Sequence, residues 1–118
     1  MYDIKTIIEQ GEEYYHSAQE ELFKPEEDVV HYMVCRSAYK ATHKFLTGFL
    51  MQKGTQINSK LSLEELLKMC RKINPKFNAL KLDPFFHATE EEDVWMNLGT
   101  AKDFLGMATE TRKLVQHA

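Results

Sequence analysis

The sequence predicts an all-α protein: an antiparallel four-helix up-and-down bundle with an irregular segment before the last helix. Three observations predict it. Apolar residues recur at alternating three- and four-residue steps, which draws a stripe down one side of a helix. β-Branched residues never form an alternating run, so strand signals are weak. Helix start and stop signals bracket the periodic stretches and leave only short connections between them. A chain of 118 residues fits a single domain over 1–118. At that length it should bury roughly 65% of its unfolded surface, enough for a core without disulfides.

The first helix is expected near 2–22. Ile4, Ile8, Gly11, Tyr15, Ala18 and Leu22 make its stripe, while Glu9, Glu12, Glu13, Gln19 and Glu20 supply a solvated face. Lys24-Pro25 ends it, and Pro25 suits the first turn of a second helix over about 26–52. Glu26, Glu27 and Asp28 then sit at the positive end of that helix dipole. Val30, Met33, Val34, Ala38, Ala41, Phe45, Leu46, Phe49 and Leu50 give the second helix an apolar surface wide enough for more than one neighbour. Its length would be about 40 Å. Gly54 is the expected left-handed residue that closes it.

After a polar loop, Ser62-Leu63-Glu64-Glu65 reads as a capping box, with Leu61 and Leu66 placed for a hydrophobic staple. This third helix runs through Leu67 and Cys70 to Asn74-Pro75. Residues 75–89 read as irregular, with one turn around Phe77 to Leu82, a turn signal at Asp83-Pro84, and Phe85 and Phe86 pinning the loop to the core. Thr89-Glu90-Glu91-Glu92 fits a second capping box and opens the last helix. Val94, Leu98, Ala101, Leu105 and Ala108 form its stripe, broadened by Trp95.

The net charge is −3, unevenly spread. Residues 1–28 hold nine acids and two lysines, residues 29–82 two acids and ten Lys/Arg, and residues 83–118 seven acids and three bases. The basic middle is either neutralised by the acidic ends within the molecule or shown to an anionic partner. The total argues against a non-specific nucleic-acid coat. No apolar run approaches the ~20 residues of a membrane span, and the first residues do not resemble a signal peptide. The expected location is therefore the cytoplasm, with no membrane association. Cys35 and Cys70 form no CxxC pair and read as buried reduced thiols.

One stripe invites chemistry. Arg36, Lys40, His43 and Lys44 fall at i, i+4, i+7 and i+8 on the second helix and so share a face. Such a face is either a solvated side opposite the core or a phosphate-binding strip, with Arg forking onto oxygens and Lys acting as a point charge. Tyr39 beside it could stack on a base or simply pack. The five histidines make no HxxxH or HExxH. Glu13-x-x-His16 and Asp28-x-x-His31 only approach the Glu-x-x-His of di-iron bundles, so no metal or cofactor is expected. There is no GxSxG elbow, no GxxxxGK[ST] loop and no GxGxxG. The scattered methionines read as core filling.

Residues 34–50 (Val34-Cys35-Arg36-Ser37-Ala38-Tyr39-Lys40-Ala41-Thr42-His43-Lys44-Phe45-Leu46-Thr47-Gly48-Phe49-Leu50), then Lys53-Gly54, then Leu61-Ser62-Leu63-Glu64-Glu65-Leu66-Leu67-Lys68-Met69-Cys70, resemble the HEPN family (higher-eukaryote and prokaryote nucleotide-binding). The likeness covers about 85 residues: a long helix of small residues and Lys, a Leu-rich end, a Gly, and a Ser-Leu-x-x-Leu-Leu start to the third helix. It implies a four- to five-helix bundle, a homodimer, and a nucleotide, RNA or protein partner, with a nucleotidyltransferase as one such partner. The resulting expectation is a non-catalytic module, with Arg36, Tyr39, Lys40, His43 and Lys44 as the ligand-binding residues. The alternatives are a small protein–protein adaptor and a metal-independent ribonuclease. The family's ribonuclease branch carries Arg-x4–6-His, a spacing matched by Arg36-x6-His43 and Arg112-x4-His117. Lys113 stands where that branch has Asn, Asp or His after the Arg.

Overall fold

The computed structural model describes residues 3–57, 61–83, 85 and 98–117. The described residues are all-α, with four long helices: α1 (Ile4–Leu22), α2 (His31–Gln52), α3 (Leu63–Ile73) and α4 (Leu98–His117). Two short 3-10 helices, Glu26–Asp28 and Pro75–Ala79, precede α2 and follow α3. No strand occurs among the described residues, and none of their helices is long and apolar enough to cross a membrane.

Helix α2 is the centre of the fold and touches α1, α3 and α4. Its residues Phe45, Leu46, Thr47, Gly48, Phe49 and Leu50 are all buried in succession. A helix buried on every side is one surrounded by neighbours, which bears out the wide apolar surface read from its sequence. Buried Thr42 and Thr47 satisfy their hydroxyls within the helix, donating to the carbonyls of Ala38 (2.9 Å) and His43 (2.8 Å).

The α1 side of α2 is lined by two glycines in close quarters. An added Cβ at Gly11 would lie 2.9 Å from the Phe45 ring and 3.2 Å from Lys44 Cβ. One at Gly48 would meet the end of Ile8 and, 3.6 Å away, Ile7. These contacts follow reverse order along the two helices. So do those between α1 and α4, where Glu12 meets Arg112 and Tyr15 meets Thr109. Along α2 and the segment after it, the partners advance together: His43 with Leu61, Leu46 with Cys70, Phe49 with Phe77.

The second helix begins at His31, five residues later than its acidic start suggests. Glu26–Asp28 forms a separate 3-10 turn, and Val29 and Val30 are extended behind it. The reason is a tertiary contact. The Glu21 carboxylate, buried at the end of α1, accepts the Val30 N–H at 3.0 Å and the Lys24 ammonium at 3.0 Å. It takes over a backbone donor that the start of α2 leaves without an intrahelical partner. Val30 and Met33, expected in the apolar surface, are consequently exposed at this corner.

The Val30 N–H first, and Lys24 second, hold the Glu21 carboxyl below the ordinary glutamate value. Deprotonation therefore favours the folded state. That contribution is complete above the unfolded value of ~4.3 and fades as pH falls through the lower folded value. Glu21→Gln should lie below the native protein in thermal melts at neutral pH, and the gap should close as pH falls through the lowered folded-state value. A gap that stays constant with pH would contradict this.

The third helix starts as its sequence predicts. Ser62 Oγ accepts from the Glu65 N–H at 3.1 Å, and the Glu65 carboxylate reaches back to the Ser62 N–H at 3.4 Å. Ser62→Ala should lower the unfolding free energy by about 1 kcal/mol in urea titration; no change would show the cap to be redundant. Gly54 takes the expected left-handed conformation at φ +81°. Arg71 then fastens the chain after α3, donating to the carbonyls of Phe77 (3.3 Å) and Leu80 (2.8 Å).

In α4 the buried side is Ala101, Phe104, Ala108 and Thr111, while Leu105 is half-buried. Ala101 and Ala108 are buried as expected, and Phe104 takes the place expected of Leu105, stacking edge-on against buried Phe85 at 4.4 Å. In α1 the same one-residue change toward the N-terminus occurs: Ile7 is buried and Ile8 half-buried. The expected cap at Thr89, together with Phe86, Val94, Trp95 and the side chain of Leu98, lies outside the described residues.

Candidate functional site

The polar edge of α2 divides into two kinds of residue. Arg36 is exposed, and Lys40, one turn on, is half-buried. Neither forms an ion pair among the described residues. Lys40 Nζ lies 5.5 Å from the centroid of the Tyr14 ring on α1, a cation–π approach, with no counter-charge among the described residues.

The other members of the stripe have structural neighbours. His43 Nε2 is 3.0 Å from the Leu61 carbonyl, which can only accept, so the hydrogen sits on Nε2 and the ring anchors the entry to α3. Lys44 lays its stem beside Gly11, where α1 and α2 approach closely. Tyr39 packs edge-on to Phe85 with centroids 5.4 Å apart, and burial pushes its hydroxyl pKa up. The structure thus spreads four of the five sequence-chosen residues over three neighbours, α1, the start of α3 and the core, and leaves Arg36 exposed. Tyr14 joins Lys40, and no motif in the sequence marked it.

A second polar group joins α1 to α4. Arg112 Nε donates to both Glu12 carboxylate oxygens, at 2.8 and 3.1 Å, and the guanidinium lies 5.0 Å from the Tyr15 ring centroid. The hydrogen bond to Glu12 holds Arg112 still more firmly protonated than usual. Thr109 donates to the Leu105 carbonyl (2.9 Å), so Tyr15 must donate to Thr109 (2.9 Å). Gln19 in turn donates to the Tyr15 oxygen (3.3 Å). His16 lies beside the same group, 3.6 Å from Glu12 and 3.3 Å from Gln19. This is a one-directional chain of donors ending on a backbone carbonyl, with an internally balanced ion pair at its side.

That arrangement bears on the Arg112-x4-His117 spacing. Arg112 Nε already holds the Glu12 carboxylate. His117 is five residues on, roughly 140° around the helix, and exposed. The geometry does not bring the two to one point. Arg36 and His43 do share a face, but His43 is spent on Leu61.

Both cysteines are buried free thiols whose pKa is pushed up to about 12 by desolvation, which makes them poor nucleophiles at neutral pH. No group of three His, Cys, Asp or Glu side chains among the described residues could hold a metal ion. An open cavity of about 600 Å³ lies between Ala79–Lys81 and α4. Lys81 and Lys102 line it together with Asp103 and Glu110, so it offers no net charge to a ligand.

No family model matches this chain, and neither does any curated protein or solved structure.

Proposed function

We propose that this protein is a non-catalytic helical binding module of the HEPN-like kind, which receives the phosphate of a nucleotide or an RNA on the Arg36–Lys40 edge of α2. One observation carries the reading. Two cations one helical turn apart have no carboxylate partner among the described residues, and the Tyr14 ring lies beside one of them. By contrast, Arg112 is balanced by Glu12. Two positive charges at this spacing suit successive phosphate oxygens, with Arg supplying the fork and Lys the point charge. The net charge of −3 favours a ligand taken at one edge over a coat spread across the surface. The sequence likeness to HEPN proteins supports the same class of ligand. It also supports a nucleotidyltransferase as a neighbouring partner.

The test is a fluorescence-polarisation titration with ATP-type nucleotides and a short single-stranded RNA, in low and in raised salt. Arg36→Ala/Lys40→Ala should weaken binding about tenfold or more and flatten the salt dependence by roughly one counterion per lost contact. Equal affinity in the native and double-variant proteins would remove this edge as the site.

A further inference from the structure

The cavity between Ala79–Lys81 and α4 is walled by two different elements. Leu80, Met107 and Leu114 give it an apolar lining, Leu80 buried and the other two half-buried. Its volume of about 600 Å³ lies in the range of sites for small organic molecules. One wall is held in advance, because Arg71 donates to the carbonyls of Phe77 and Leu80. The other is the regular backbone of α4.

Gly106 is the bare part of that second wall. Three other glycines have a reason within the chain: Gly11 admits Phe45, Gly48 meets Ile8, and Gly54 takes a positive φ. Gly106 stands inside α4, where glycine is the poorest helix former short of proline, and a Cβ there would meet nothing within 4 Å. No packing among the described residues uses the missing side chain. What it does is leave the cavity open down to the helix backbone, as a glycine does where a ligand comes close.

The charged residues of the lining balance in number but not in place. Glu110 has the Lys113 ammonium 3.9 Å away on its own helix. Lys81, Lys102 and Asp103 are exposed and have no ion pair among the described residues. Two unpaired ammonium groups thus stand against one unpaired carboxylate, and Lys102 lies one helical turn before Gly106.

We propose that this cavity binds a small amphipathic anion, an apolar body carrying one acidic group. The body lies on Gly106 between Leu80, Met107 and Leu114, and Lys81 and Lys102 meet the charge. Apolar contact supplies the attraction, and the two ammonium groups fix which end enters first. Neither Arg36 nor Lys40 lines the cavity, so this site stands or falls separately from the phosphate edge of α2.

The probe is anilinonaphthalene sulfonate, an aromatic body with one negative charge, compared with N-phenylnaphthylamine, which has the same rings and no charge. Fluorescence titration of the full chain in low salt should show saturable binding of the anion, at least about 5-fold tighter than that of the neutral dye. Gly106→Gln fills the space with a better helix former, so its urea midpoint should rise while its affinity for the anion falls at least about tenfold. A gain in stability separates lost binding from lost folding. Lys81→Gln/Lys102→Gln alters only exposed side chains and should lower the affinity for the anion to that for the neutral dye. No saturable binding by the native chain overturns the proposal. So does undiminished binding by Gly106→Gln, which would move the dye to another surface, such as the corner where Phe23 is 87% exposed. A midpoint that falls in Gly106→Gln would show the glycine to be needed for packing, and equal affinity for the two dyes would remove the anion; either result overturns it equally.

Discussion

Phe45→Ala should lower the unfolding free energy by about 3–5 kcal/mol, a large part of the ~5–15 kcal/mol that a domain of this size has in all. Phe45 is 1% exposed and lies where α2 packs against Gly11 of α1. Its ring packs edge-on to Tyr15 at 6.4 Å on one side and against Gly11 on the other. Truncation removes the apolar surface it buries and leaves a cavity. Gly11, having no side chain, cannot lean in to fill it. Urea titration with circular dichroism at 222 nm would measure the loss. A change below about 1 kcal/mol would mean that the α1–α2 seam collapses freely, contrary to the usual stiffness of packed cores.

The converse change should also destabilise. Gly11→Ala improves helix propensity by up to ~1 kcal/mol, so in an open position it would stabilise α1. Here the new methyl would lie 2.9 Å from the Phe45 ring and 3.2 Å from Lys44 Cβ. Neither neighbour yields easily: the ring is buried and rigid, and Cβ moves only with its backbone. Overpacking of this kind costs about 1–3 kcal/mol, so after the propensity gain a net loss of up to about 2 kcal/mol is expected. A second substitution makes the cause visible. In a Phe45→Leu background the ring is gone, and Gly11→Ala should there be neutral or stabilising, with a coupling of at least about 1 kcal/mol. Equal losses in the two backgrounds would exclude the Phe45 contact as the reason for the glycine. Gly48 faces the far end of half-buried Ile8, a chain that can rotate aside, so the same substitution there should be milder.

These two positions show how legibility depends on range. Gly11 falls on the apolar stripe of the first helix, so its burial could be read from spacing. That it admits Phe45 could not, because the two are joined only by the crossing of α1 over α2. The start of α2 teaches the same lesson. Glu26, Glu27 and Asp28 after Pro25 have the composition of a helix start, yet the helix waits until His31 because Glu21 captures the Val30 N–H. The candidate site divides likewise. The sharing of one helical face by Arg36, Lys40 and His43 follows from periodicity. That Lys40 meets Tyr14, His43 meets the Leu61 carbonyl and Tyr39 turns into the core depends on what packs alongside. The Glu12–Arg112 pair spans 100 residues, and no local pattern announces it.

Local chemistry alone determined the all-α class, the capping box at Ser62, the positive φ of Gly54 and the amphipathic sides of the helices. Each depends on forces acting within one or two turns: side-chain hydrogen bonds to nearby amides, the freedom of a residue without Cβ, and the 3.6-residue repeat. Tertiary structure decided which cations stay unpaired, which aromatics pack in the core and which stand open at a corner. Those outcomes turn on burial and on partners distant in sequence, where the environment of a charge or a ring is set by whatever the fold places against it.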